Sequence, residues 1–451
     1  MVFKHAENNA DTHTEYNLSF FSPDDLQLQK LSADLVLIDE AAAIPIPLLT
    51  DFLKHYSRIV FSSTQHGYEG SGRGFAINFR KVLDREAPEW KSCELKQPIR
   101  WQENDTLEQF TFDALLLNAE AADDSLINKV TVGDCDFKQI DKQQLIKNNE
   151  KLKQLFGLLV SAHYQTKPSD LMQLLDDDSV SVYCLEANEQ VVAVALLIQE
   201  GNIDAKLAKD IFAGNRRIPG HLVAQALSSN VGIESATQLS GERISRIAVH
   251  PSLQGMGLGS FLIDKLIKRS SADYLSTCYG ATESLLHFWQ KNNFLAVHIG
   301  IKRDASSGAH SVTMLHSKSN KGELLCGQAQ SIFAQNFPHL LSDTLSELES
   351  EIVSSLLPEY PVKGLDDEEK KILCAFANES RGYENSLYLI YDLVLSNINK
   401  SQKLNEQEKK LLITKVLQKQ SWQKMQQKWG GVISGKKQAL ALTRQAVLKL
   451  I

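Results

Sequence analysis

The sequence predicts an α/β protein in three parts: a partial parallel sheet, a second α/β domain, and an α-helical tail. Short apolar runs that end in acidic or hydroxylated residues alternate with helical patterns in the first part. A hairpin pattern and then a strand, glycine turn and helix occupy the middle. From about residue 330 to residue 451 the apolar spacing is helical, with no strand signal.

Composition bounds these parts. A chain of 451 residues is long for one core, and 43% hydrophobic with 23% charged residues is ordinary for globular domains. No run of eighteen apolar residues occurs and the first thirty residues are polar, so neither a membrane span nor a secretory leader is expected. Six dispersed cysteines form no C-x-x-C pair, which excludes a zinc or disulfide framework and fits a reducing cytoplasm. No metal site is expected. The net charge of −7 argues against a uniformly basic nucleic-acid binder, yet from Lys403 to Lys449 eleven basic residues face only Glu406 and Glu408. The tail is basic and the body acidic.

The first thirty residues are weakly patterned and are assigned no element. Leu35-Val36-Leu37-Ile38 is a buried-strand run ending in Asp39-Glu40, and the following AAAIPIPLLTDFLKHY turns helical after its prolines. An acidic pair at that end of a strand lies where open α/β sheets bind ligands. In a Walker B arrangement Asp39 would hold Mg²⁺ through water and Glu40 would orient an attacking water. Two such residues alone read more readily as the start of the next helix. A second strand, Arg58 to Phe61, ends in Ser62-Ser63-Thr64-Gln65, groups of the kind that sense a γ-phosphate. Arg73 in GYEGSGRGF and Arg100 in ELKQPIRW are phosphate contacts or plain surface charges. No G-x-x-x-x-G-K-[ST] precedes Asp39, and the nearest string, GGVISGKK, has Lys437 where the hydroxyl belongs.

Residues 103 to 140 read as an acidic boundary with helical spacing at FDALLLNAE. Gln144 to Tyr164 presents one apolar helix face, PSDLMQLLDDD a shorter helix, and SVSVYCLEANEQVVAVALLIQE two strands around an Asn188-Glu189 turn. In the insertion at 201–242, the loop Gly214 to His221 carries Arg216 and Arg217, which either grip RNA phosphate or stay solvated; the helix LVAQALSSN follows. Then comes RIAVHPSLQGMGLGS, Arg246 to Ser260: a strand, a glycine turn and a helix start. Such a turn lines up backbone N–H groups without side chains in the way, an anion site for phosphate or diphosphate, or else it is a purely structural glycine turn. After it, Tyr274 to Tyr279 is a strand, ESLLHFWQKN a helix, and FLAVHIGIK with SVTMLH a final strand pair.

The spacing Gln254-x-x-Gly257-x-Gly259 resembles the acyl-CoA loop, [QR]-x-x-G-x-[GA], of GNAT acetyltransferases. The wider set DEAAAIP, GYEGSGRGF, QPIRW, SAHYQTKPSDL, GNRRIPGHLVAQ, RIAVHPSLQGMGLG, FWQ and RDASSG, in this order, resembles the bacterial tRNA(Met) cytidine acetyltransferases. That resemblance implies a partial P-loop (RecA/RecD-like) sheet over 1–118 without its Walker A loop, a GNAT domain over 119–325, and a helical tRNA-binding domain over 326–451. The chain is thus expected to be N-terminally truncated. The implied reaction is acetyl transfer from acetyl-CoA to the N4 amine of the wobble cytidine of elongator tRNA(Met), assisted by hydrolysis of ATP or GTP with Mg²⁺. Ile247, Ala248 and Val249 would bind the acetyl and pantetheine part. Gln254, Gly255, Met256, Gly257, Leu258, Gly259 and Ser260 would hold the diphosphate. Asp39, Glu40 and Arg100 would touch ATP, and Arg216, Arg217, Lys436 and Lys437 would touch RNA. A Glu and an Arg near FWQ also serve acetyl-CoA in the family; Glu283 stands one position from the first, and Lys291 replaces the second.

The amine of cytidine is a poor nucleophile, so positioning and proton removal must lower the barrier. His250, His163, Tyr164 and Glu283 are candidates to move that proton. Two other readings stay open: a GNAT enzyme acting on protein or small amines, and a tRNA-binding product without turnover.

Overall fold

The computed structural model describes residues 2–5, 16–23, 25–26, 31–64, 72–95, 97–162, 168–304, 307–361, 364–429 and 435–451. The chain runs through β1 (Val2–His5), β2 (Tyr16–Ser19), β3 (Leu35–Ile38), α1 (Ile46–His55), β4 (Ile59–Phe61), α2 (Gly72–Glu86) and α3 (Thr106–Leu115). β5 (Asp136–Ile140), α4 (Asn149–Ala162), α5 (Pro168–Asp176), β6 (Val180–Ala187), β7 (Gln190–Gly201), α6 (Ala205–Phe212) and α7 (Leu222–Ser229) follow. Next are β8 (Ser240–Val249), α8 (Leu258–Arg269), β9 (Tyr274–Gly280), α9 (Glu283–Lys291), β10 (Leu295–Arg303), β11 (His310–Ser317) and α10 (Asn320–Leu341). The tail consists of α11 (Ser350–Leu356), α12 (Asp367–Ala377), α13 (Leu387–Asn397), α14 (Glu406–Leu412), α15 (Trp422–Lys428) and α16 (Lys436–Leu448). Packing gathers these into two compact units: 1–200 with 242–271 and 303–309, and 201–241 with 272–302 and 310–451. Among the described residues no helix is long and apolar enough to cross a membrane.

The first unit contains a sheet of order β2-β1-β3-β4. Its β3–β4 pair is parallel, as the two apolar runs predict, and its core is Val36, Ile38, Leu49, Phe52 and Phe79. β1 and β2 lie in the polar stretch for which no element was expected. β1 is antiparallel to both neighbours, with Val2 opposite Val36, so pairing rather than apolar pattern orders it.

The same unit continues with β8, β7, β6 and β5 side by side, in that order. Leu155, Leu158, Leu174, Val182, Val194, Leu196 and Ala248 form the core under α4 and α5. Asn188 and Glu189 take φ of 50° and 63°, the left-handed pair a two-residue hairpin needs. The long helix expected over 144–164 is broken: a single turn at Lys142–Leu145 precedes α4, and the Asn148 side chain accepts from Lys151 N at 3.0 Å as a new N-cap. Residues 163–167, with His163 and Tyr164, lie outside the described residues.

In the second unit β10, β11 and β9 neighbour one another in that order. Leu227, Tyr274, Val297, Leu315 and Leu325 make its core. The tail is helical as the sequence predicts, with buried Leu393, Leu412, Val416 and Met425. Lys415 is buried there too, its Nζ donating to Gln420 O at 2.8 Å over the Trp422 ring.

Candidate active site

β8 delivers Ile247, Ala248 and Val249 to a corner at His250, and Pro251–Leu253 then makes one 3-10 turn. Gln254 is extended and its amide donates back to Val249 O at 3.2 Å. Gly255 and Gly257 take φ of 79° and 91°, which glycine alone adopts without strain. Gly255 has open space where a Cβ would stand. Met256 is exposed, Leu258 is fully buried and anchors α8, and Gly259 and Ser260 are half-buried.

Gly257 is the N-cap of α8, so no side chain caps this twelve-residue helix. Its first turn holds no acidic residue, whereas Lys268 and Arg269 sit in the last turn. The positive end of the dipole therefore meets no capping side chain and no acidic residue in the first turn. A side chain on residue 255 or 257 would strain the backbone.

His250 is 4% exposed. Its backbone nitrogen donates to Val192 O, while Nδ1 lies 2.9 Å from Ser252 Oγ and Nε2 lies 2.9 Å from Ala122 O. A carbonyl can only accept, so Nε2 carries the hydrogen and Nδ1 accepts from the serine. The ring thus ties the loop corner to a segment distant in sequence. When Nδ1 takes a proton, the Ser252 hydroxyl turns and accepts from it, with Asp124 Oδ1 3.7 Å away.

The earlier part of β8 is polar yet buried. Glu242 accepts from Gln199 at 2.6 Å and from Arg269 at 3.2 Å, and Arg243 donates to the fully buried Glu200 at 2.5 Å. Arg246 meets Asp170 of α5 at 2.8 Å. Sequence reasoning named none of these, although Asp170 and Arg246 stand inside two of the strings that carry the family resemblance.

At the first sheet, Asp39 ends β3 and Oδ1 accepts from Ser62 Oγ at 2.6 Å, at the end of the adjacent parallel β4. Glu40 N also donates to that oxygen, and Glu40 itself has φ of 48°. Arg100 is exposed, whereas the Arg73 side chain lies outside the described residues. In the second unit Glu283 opens α9 behind its Thr282 cap, and Lys291 is in the last turn; both are exposed. Arg216 and Arg217 are exposed on a loop whose Ile218 is clamped by the Gln225 amide at 2.9 and 2.7 Å. Lys436 and Lys437 are exposed in the first turn of α16.

Burial pushes the Cys184 thiol up to about 12 and that of Cys326 up to about 11. Burial, then the Asp134 and Asp136 charges, raises that of Cys135. None of the three is a ready thiolate nucleophile.

Two family models match the chain: RNA cytidine acetyltransferase NAT10/TcmA, helicase domain, over residues 2–118, and GNAT acetyltransferase 2 over 154–271 and 265–319. A tRNA(Met) cytidine acetyltransferase TmcA of Nitrosococcus halophilus is 41% identical over 469 residues, covering 100% of this chain and 62% of its own. Its namesake in Vibrio cholerae is 35% identical, with 99% and 62% covered. The chain thus spans less than two thirds of the length of these relatives. A solved agmatine N-acetyltransferase, a point mutant in its apo form, is 16% identical and covers 41% of this chain and 100% of its own, at a TM-score of 0.29.

Proposed function

Because the chain belongs to the RNA cytidine acetyltransferase family, with a helicase-domain segment followed by a GNAT segment, we propose that it acetylates the N4 amine of a cytidine in tRNA(Met) using acetyl-CoA. The observation that carries this reading is the uncapped, left-handed Gly257 turn at the head of α8, directly after β8. It fits a coenzyme diphosphate: a helix start without a side-chain cap, a positive dipole end and no acid in the first turn.

In this reading the loop 254–260 holds the diphosphate, and the backbone of Ile247–Val249 aligns the pantetheine arm and polarises the thioester carbonyl. The cytidine amine attacks that carbonyl carbon, the C–S bond breaks, coenzyme A leaves as the thiol, and the amine proton passes to a base. His250, Tyr164 and Glu283 are the proposed proton-transfer groups, and Lys291 a further coenzyme contact. We place the enzyme in the cytoplasm, with 1–118, 119–325 and 326–451 as its functional parts.

Labelled acetyl-CoA offered with total tRNA or total protein tests the reading. N4-acetylcytidine in digested tRNA is expected; label in protein alone would replace it with an amine-acetylating enzyme.

Asp39, Glu40 and Arg100 are the proposed nucleotide contacts, with Asp39 oriented by Ser62 toward Mg²⁺. This 451-residue chain contains no G-x-x-x-x-G-K-[ST] string, so it is expected to bind ATP weakly, while acetyl-CoA binds normally. Micromolar ATP binding by calorimetry would contradict that expectation.

Arg216, Arg217, Lys436 and Lys437 are the proposed RNA contacts. Each neutralised phosphate contact should lower the slope of log affinity against log salt by about 0.7 to 0.9. Arg216→Ala/Arg217→Ala and Lys436→Ala/Lys437→Ala should therefore each flatten it by about 1.4 to 1.8, read by anisotropy of labelled tRNA across a salt series.

A further inference from the structure

A cavity of about 180 Å³ opens between α5, the start of β6, the end of β7 and the first half of β8. At about 30 Å³ per water it holds about six waters, too small for a typical ligand pocket but enough for one six-membered ring. Its walls include the buried apolar side chains Leu174, Leu196 and Ile198, and its polar groups include Asp170, Arg243 and Arg246. Period-two alternation puts Arg243 and Ser245 on one strand face and turns Arg246 to the other, yet all three line this cavity.

We propose that this cavity receives the pyrimidine ring of the acceptor cytidine, with Asp170 accepting a hydrogen from the exocyclic amine and Arg246 donating to the neighbouring ring nitrogen or carbonyl oxygen. The inference rests on the acetyl-transfer reading and names its acceptor site. Carboxylates accept from the cytosine amine, and an unstacked base is held between apolar walls while its pairing edge is read. The Arg246–Asp170 bond at 2.8 Å fixes the carboxylate at the cavity wall. Uracil presents an oxygen in place of the amine, so its lone pairs would face those of Asp170 and the ring would be rejected. Arg243 is bonded to Glu200, and Arg246 is the lining arginine nearer the strand end that the thioester would follow.

The test uses the purified full chain, with cytidine and uridine as probes in saturation-transfer NMR, coenzyme A in calorimetry, and thermal melting for each variant. The parent should bind cytidine in preference to uridine. Asp170→Asn should lose at least tenfold in cytidine affinity and lose the preference, Asp170→Glu should recover part of it, and the cavity-filling Leu196→Phe should abolish cytidine binding. Coenzyme A affinity should stay within twofold of the parent throughout. Equal binding of the two nucleosides by the parent, no cytidine binding, or parental cytidine binding by folded Asp170→Asn and Leu196→Phe would each overturn the proposal. If both folded variants acetylate tRNA at the parental rate, the pocket assignment falls and the acetyl-transfer reading stands. If the parent acetylates protein amines and no RNA, both fall.

Discussion

Gly257→Glu is expected to weaken coenzyme A binding about a hundredfold. Two effects combine. Residue 257 sits at φ 91°, and an L side chain held in the left-handed region costs about 1–2 kcal/mol. The new carboxylate also stands at the N-terminus of α8, where it occupies the favourable dipole end and repels the diphosphate, about 1–2 kcal/mol more. Together about 3 kcal/mol corresponds to roughly two decades in affinity. Gly257→Ala meets only the backbone cost and should lose about tenfold, since a methyl there would lie at ordinary contact, 3.7 Å, from Val132. Calorimetry with coenzyme A on parent and both variants measures this. Equal heats for parent and glutamate variant would remove the diphosphate site, and with it the case for acetyl transfer.

His250→Ala is expected to destabilise the first unit by about 3 kcal/mol, because the Ala122 carbonyl loses its buried donor and the ring leaves a void. For a unit of this size that is a fall of about 6–12 °C in melting temperature. Coenzyme A binding should weaken with it, since the corner that aims residues 254–260 is released. His250→Gln separates holding from chemistry: its amide can still donate to Ala122 O and should restore most of the melting temperature. If acetyl transfer returns with it, His250 positions the loop and takes no proton. If stability returns and transfer does not, the proton-transfer role proposed for His250 stands.

The features legible in the sequence are those set by neighbouring residues. The Asn188-Glu189 turn, the glycines at 255 and 257, the parallel run at Leu35 and the helical tail were all readable, because left-handed turns and apolar periodicity are local properties. β5 was missed: its side chains are mostly exposed, and its order comes from its antiparallel pairing with β6 and from Phe137 stacked on Tyr183 at 5.6 Å. The first half of β8 was missed because Glu242 and Arg243 look like surface residues until Arg269, Gln199 and Glu200 are seen to neutralise and bond them. The start of α10, before about residue 330, was hidden by glycines, of which Gly322 is required where the helix passes against the Asp273 carbonyl.

By itself, the sequence determined that a strand turns through glycines into a helix at residues 246–260, because positive φ at residues 255 and 257 is a local backbone property that glycine meets without strain. Only the tertiary structure decided that the His250 ring is closed by a carbonyl 128 residues away, and that Asp170, Leu196 and Arg246 surround one small cavity. Those contacts join segments that no local pattern relates, and they exist because packing α5 against β6, β7 and β8 brings the segments together.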